Sequence, residues 1–134
     1  MKRLFFVALI VALIVPPCPV QAQTTALDAC PMSPAAMKVA YAEPLTVSNT
    51  AMGLTATVYD PGNGAPKAVC ALISVNTNGI SRWVAGRTPT ASDGVLVGPG
   101  VQFSIGAQNF ITLKMIRSTG SDASVAVEYM VPIS

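Results

Sequence analysis

From Leu45 onward, apolar and polar residues alternate in short runs with a period of two, the pattern of half-buried β-strands. Leu45-Thr46-Val47 is one such run, and Leu54, Ala56 and Val58 alternate with Thr55, Thr57 and Tyr59 in a second. Val69, Ala71, Ile73 and Val75 share one parity. A further run, Ile80 to Ala85, follows across Asn78-Gly79, a strong hairpin signal. Val95-Leu96-Val97, then Val101, Phe103 and Ile105, then Ile111, Leu113 and Met115 continue the pattern. Val125, Val127, Tyr129 and Val131 close it, making about eight strands. Turn residues punctuate the runs, as in Asp60-Pro61-Gly62-Asn63-Gly64 and Gly98-Pro99-Gly100. Short strands at this spacing predict an all-β domain over residues 43–134, an antiparallel β-sandwich of jelly-roll or Ig-like type.

The beginning of the chain is patterned differently. Met1-Lys2-Arg3 is basic, Leu4 to Val15 is continuously apolar, and Pro16-Pro17 ends any helix. Val20-Gln21-Ala22 then places compact residues at the −3 and −1 positions of a cleavage site. Residues 1–22 are therefore expected to be a secretory signal peptide, cleaved after Ala22, and the protein to be exported to the periplasm or the medium. A membrane-anchoring helix is the competing reading. The apolar run, however, rises only about 18 Å against a hydrocarbon core of about 30 Å, so no stable span is expected after cleavage. Cys18 raises a lipoprotein alternative, but Val15-Pro16-Pro17 departs from the Leu-Ala-Gly type of sequence that precedes a lipidated Cys. Residues 23–42, rich in Ala and Met and broken by Pro31 and Pro34, are expected to form an N-terminal arm lying against the sandwich.

Composition changes meaning once the leader is set apart. The whole chain has 134 residues, 51% of them hydrophobic, and a formal charge of +2. Lys2 and Arg3 account for that charge, so residues 23–134 are formally neutral. Neutrality and the absence of a basic cluster argue against a nucleic-acid partner. Cys30 and Cys70, forty residues apart, are expected to pair as a disulfide in an oxidising compartment.

Candidate chemistry is sparse. The sequence has no His, which removes the commonest general base and the usual triads. Asp28, Asp60, Asp93 and Asp122 occupy arm, turn or loop positions, and Glu43 and Glu128 complete the acidic residues after the leader. Asp60 with Glu128 is the pair that a glycosidase-like reading would need. Asp60-Pro61-Gly62-Asn63-Gly64 resembles part of a calcium loop but lacks the further acidic ligand. No catalytic, cofactor-binding or metal-ligating residue is therefore expected. Arg82, Trp83 and Arg87 form the candidate binding surface, an aromatic anchor flanked by cations. The competing expectation for them is structural, with the arginines stacked on aromatic rings or paired with loop carboxylates.

The stretch Trp83-Val-Ala-Gly-Arg87-Thr-Pro-Thr-Ala-Ser-Asp-Gly-Val-Leu-Val97 resembles a pattern in small β-sandwich proteins of tailed bacteriophages. In those proteins an aromatic strand runs into a Thr-, Pro- and Ser-containing loop and then a short strand. The segment Phe110 to Arg117, followed by a Gly-containing turn and a last strand reaching Tyr129, is similar as well. The resemblance covers roughly residues 80–130. It implies a virion-associated or host-surface-binding module with a protein, cell-surface or virion partner, able to form homo-oligomers through its sheet edges. The leader and the Cys pair depart from that pattern. Three functions follow as expectations: an exported, non-enzymatic binding module; a pilus- or adhesin-type subunit that uses strand addition; and a small secreted hydrolase with facing carboxylates.

Overall fold

The structure, a computed structural model, describes Cys30, residues 33–84 and residues 86–133. The leader, its cleavage site and Cys18 lie outside the described residues. Among the described residues seven strands follow one another: β1 (Met37–Val47), β2 (Cys70–Thr77), β3 (Ile80–Trp83), β4 (Val95–Val97), β5 (Gln102–Gly106), β6 (Lys114–Arg117) and β7 (Ala123–Pro132). They form two antiparallel sheets, a large one in the order β1-β7-β2-β5 and a small one in the order β4-β3-β6. This is the expected all-β sandwich.

The core lies where the alternation puts it. Ala71, Ile73 and Val75 of β2 and Val125, Val127, Tyr129 and Val131 of β7 are buried. They meet Ile80, Leu113 and Met115 from the side of the small sheet. Phe103 and Ile105 of β5 complete the same cluster.

Four local expectations change. β1 begins at Met37, inside the segment read as an arm, and pairs with β7 from Met37 opposite Pro132 to Val47 opposite Ala123. Among the described residues, the 3-10 turn Pro34–Ala36 precedes it. Val39, Ala40 and Ala42 are exposed although apolar or small, so the first half of this edge strand shows no alternation of apolar and polar residues. Second, Leu54 to Val58 does not extend. Residues Ala56–Tyr59 form a single helical turn, α1, after Thr55. The Thr55 backbone N–H donates to the Glu43 carboxylate at 3.2 Å, which draws this segment onto β1.

Third, Asn78-Gly79 is no hairpin. It links β2 of the large sheet to β3 of the small one, so the chain crosses the sandwich there. Asn78 has φ 56°, and its side-chain amide donates to the Asp122 carbonyl at 2.7 Å. Gly79 accepts from the Ser118 N–H at 2.9 Å. Those bonds to the β6–β7 connection tie the corner to a third segment, where a two-strand ladder would have satisfied itself. Fourth, Ile111 is 79% exposed and β6 starts only at Lys114. The 3-10 turn Ala107–Asn109 reverses the chain first, and the Leu113 N–H donates to the Asn109 carbonyl at 2.9 Å.

Cys30 and Cys70 sit at disulfide distance, with Cα atoms 5.3 Å apart. Cys70 heads β2 on the face opposite Ala71 and is fully buried, so Cys30 lies against the outside of the large sheet.

Candidate functional site

Alternation along β3 separates the three residues singled out by sequence. Ile80 and Arg82 point between the sheets, while Ser81 and Trp83 point to the outer face of the small sheet. Arg82 is only 4% exposed, and its guanidinium lies 4.2 Å from the centre of the Phe103 ring of β5. It is therefore an interior cation over an aromatic face, not part of an exposed surface. Its charge hid a core-facing position from a reading based on polarity.

Trp83 and Arg87 come together instead. The Arg87 guanidinium stacks over the Trp83 ring at 4.4 Å, and its Nη2 reaches Asp93 Oδ2 at 3.2 Å. The segment from Gly86 to Gly94 holds this arrangement by folding back over β3. Pro89 is buried, the Thr90 N–H donates to the Asp93 carbonyl at 3.0 Å, and the Asp93 N–H donates to Thr90 Oγ1 at 2.9 Å. Ser81 Oγ, fully buried beneath, donates to the Asp93 carbonyl at 3.3 Å. The Arg87–Asp93 pair is solvated on both sides and adds little to stability. Its effect is to orient the guanidinium. The Trp83 indole Nε1 is buried and has no hydrogen-bond partner among the described residues. The result is a pre-positioned pair, an aromatic ring at the end of β3 and a cation on the loop that follows, the residue types that dominate recognition surfaces.

Gly94 makes this possible. It has φ +151°, and a Cβ there would run into Ser81 Oγ and lie 3.1 Å from the Arg82 carbonyl. Gly94→Ala is expected to lift the loop from β3 and to cost about 1–3 kcal/mol. Chemical denaturation followed by Trp83 fluorescence checks this; an unchanged midpoint and unchanged emission would contradict it.

The carboxylates are distributed among other tasks. Asp60 pairs with Lys67 at 2.6 Å, and Asp122 pairs with Arg117 at 2.8 Å. Glu128 projects from the outer face of β7, between Ala42 and Leu72. Asp60 and Lys67 border a pocket of about 160 Å³ floored by Tyr59 and Phe110. Among the described residues, no three His, Cys, Asp or Glu side chains gather in a way that could hold a metal ion.

Sequence reading missed one buried polar pair. Tyr129, fully buried in β7, donates its hydroxyl to Glu43, itself 8% exposed on β1. Tyr59 and Phe110 pack their rings on Tyr129 at 6.0 and 5.7 Å between centroids. Burial and the neighbouring Glu43 carboxylate both push the Tyr129 phenol well above its ordinary pKa. The signal was present as parity: Glu43 shares its phase with Leu45 and Val47, the buried positions of β1.

Among the described residues no helix is long and apolar enough to cross a membrane. Comparison with protein-family models, with curated proteins and with solved structures finds no match to the chain.

Proposed function

We propose that this chain is an exported, non-enzymatic β-sandwich module that binds a protein or cell-surface partner through Trp83 and Arg87. The observation that carries the reading is the Arg87 guanidinium held 4.4 Å above Trp83 by Asp93 on a braced loop. A long Arg side chain fixed in place loses less freedom on binding, which favours its use as an anchor. Export is supported by the leader-like residues 1–22 and by Cys30 and Cys70 at disulfide distance, a pairing that oxidising compartments sustain. The resemblance of residues 80–130 to small phage β-sandwich proteins supports a host-surface or virion-associated setting.

Labelled protein is expected to bind cell envelopes of the producing host saturably. Trp83→Ala is expected to weaken that binding about tenfold or more, and Arg87→Ala less so. Gly120→Ala, on the turn at the far end of β6 where an added Cβ meets nothing within 4 Å, serves as the control. Binding that is absent, or that Trp83→Ala leaves intact, would overturn the reading.

A further inference from the structure

Asn precedes Gly twice in the chain, at Asn63-Gly64 and Asn78-Gly79, and the Trp83–Arg87 surface uses neither pair. An Asn side chain can be attacked by the backbone nitrogen of the residue that follows it. Gly makes that attack easiest, because it has no Cβ to crowd its own nitrogen. Asn49, Asn76 and Asn109 precede Thr50, Thr77 and Phe110, whose side chains do crowd it. The fold treats the two Asn-Gly pairs in opposite ways.

Asn78 is held in place. Its side-chain amide donates to the Asp122 carbonyl at 2.7 Å, and the buried Gly79 accepts from the Ser118 N–H at 2.9 Å. A Cβ on Gly79 would strike Ser118 Oγ and lie 3.3 Å from the Val97 carbonyl, so this backbone has little room to turn. Asn63 stands at the tip of the loop from Asp60 to Lys67. The base of that loop is fastened: Lys67 pairs with Asp60 at 2.6 Å, and the Ala68 N–H donates to the Tyr59 carbonyl at 2.9 Å. The Tyr41 hydroxyl donates to the Pro66 carbonyl at 2.9 Å as well. Its tip is open. Asn63 and Gly64 are exposed, and a Cβ on Gly64 would meet nothing within 4 Å. Neither the Asn63 side chain nor the Gly64 N–H has a hydrogen-bond partner among the described residues.

We propose that Asn63 is a modification site, deamidating spontaneously in the folded protein while Asn78 is protected. The Gly64 backbone nitrogen attacks Asn63 Cγ and gives up its proton. The Cγ–Nδ2 bond breaks, and ammonia leaves with that proton, which closes a succinimide ring. Water then adds at one of the two ring carbonyls and reopens the ring, leaving aspartate or isoaspartate. Water is the sole co-reactant, and nothing is oxidised or reduced. Either product carries a carboxylate where Asn63 had a neutral amide, so residues 23–134, with six basic and six acidic residues, gain one negative charge. That charge falls within the loop closed by Asp60 and Lys67, which borders the pocket over Tyr59 and Phe110. The isoaspartyl form also lengthens the main chain there by one methylene. This inference stands independently of the Trp83–Arg87 reading.

The test holds the protein, as it accumulates from the full chain, in warm, mildly alkaline buffer. Isoelectric focusing follows it over days, and peptide mapping locates the change in each band. A more acidic band is expected to grow, mapping to Asn63 as a mixture of aspartate and isoaspartate. Reaction at Asn78 waits on opening of its corner, so Asn63 is expected to convert at least about tenfold faster in the folded protein. In urea with reductant that protection is lost, and the two pairs are expected to convert at similar rates. Asn63→Gln, which would have to close a larger ring, is expected to keep its original position on the gel. Trp83 emission checks that this variant is folded, and the wild-type comparison of Asn63 with Asn78 stands alone if it is not. Folded protein that gains no acidic band, Asn78 converting as fast as Asn63 in the folded state, or an acidic band undiminished in Asn63→Gln would overturn the proposal.

Discussion

Tyr129→Ala is expected to leave little folded protein. Tyr129 is the largest fully buried side chain among the described residues and stands in β7, which pairs with both β1 and β2. Truncating a buried aromatic costs about 3–5 kcal/mol in cavity and lost contacts. Here Tyr59 and Phe110 lose their common neighbour as well. The Glu43 carboxylate would also lose its phenolic donor inside the core, adding about 1–3 kcal/mol. The sum approaches the whole stability of a domain this size, about 5–15 kcal/mol. Tyr129→Phe separates the two contributions, because it keeps the ring and removes only the hydroxyl. It is expected to lower stability by about 1.5–3 kcal/mol, the usual worth of a hydrogen bond to a charged group. Urea unfolding followed by Trp83 emission reads both; a Tyr129→Ala protein as stable as wild type would contradict this packing.

The same pair sets a dependence on pH. The phenol keeps its proton more tightly folded than unfolded, since its folded pKa is raised. Above about pH 10 the unfolded chain releases that proton while the folded protein retains it, so the unfolded state binds fewer protons. Stability contributed by this group is therefore intact below about pH 10 and lost as pH rises beyond it. The slope is about 1.4 kcal/mol per pH unit, and Tyr129→Phe should abolish that part of the loss. Equal alkaline slopes in the two proteins would contradict the assignment.

Replacing both Cys30 and Cys70 with Ala is expected to be the second most damaging change. The pair spans 40 residues, and a cross-link of that length removes unfolded-state freedom worth about 3–4 kcal/mol. It also fastens the residues leading into β1 to the outer face of β2, so its loss should loosen the Pro34–Ala36 turn and the first part of β1. Wild-type protein under reductant should shift its urea midpoint to match the double variant. A midpoint unaffected by either treatment would show that the cross-link contributes nothing.

The sequence carries most of the fold because inward positions obey a period of two. The runs ending at Val75 and Val131 read directly as strands with one buried face. Where the chain leaves its ladder, local pattern stops deciding. Asn78-Gly79 has the residues of a tight hairpin, yet its bonds go to Asp122 and Ser118, far along the chain. Leu54 to Val58 alternates like a strand, yet the segment is held by Glu43 across the fold. Nothing local announces either bond. The candidate site is legible to the same extent. Proximity in sequence grouped Arg82, Trp83 and Arg87, and strand alternation then sent Arg82 inward to Phe103 while the loop returned Arg87 to Trp83. The Glu43–Tyr129 pair needed the pairing of β1 with β7, which emerges only when β1 is seen to begin at Met37.

We propose that this disulfide-fastened β-sandwich works outside the cytoplasm. Fractionation of expressing cells with intact-mass measurement, before and after thiol labelling without reductant, tests it most directly. Protein in the periplasm or medium is expected to begin at Gln23, with Cys30 and Cys70 both unreactive until reduced. Full-length chain beginning at Met1, recovered from the cytoplasm with both thiols labelled, would contradict it.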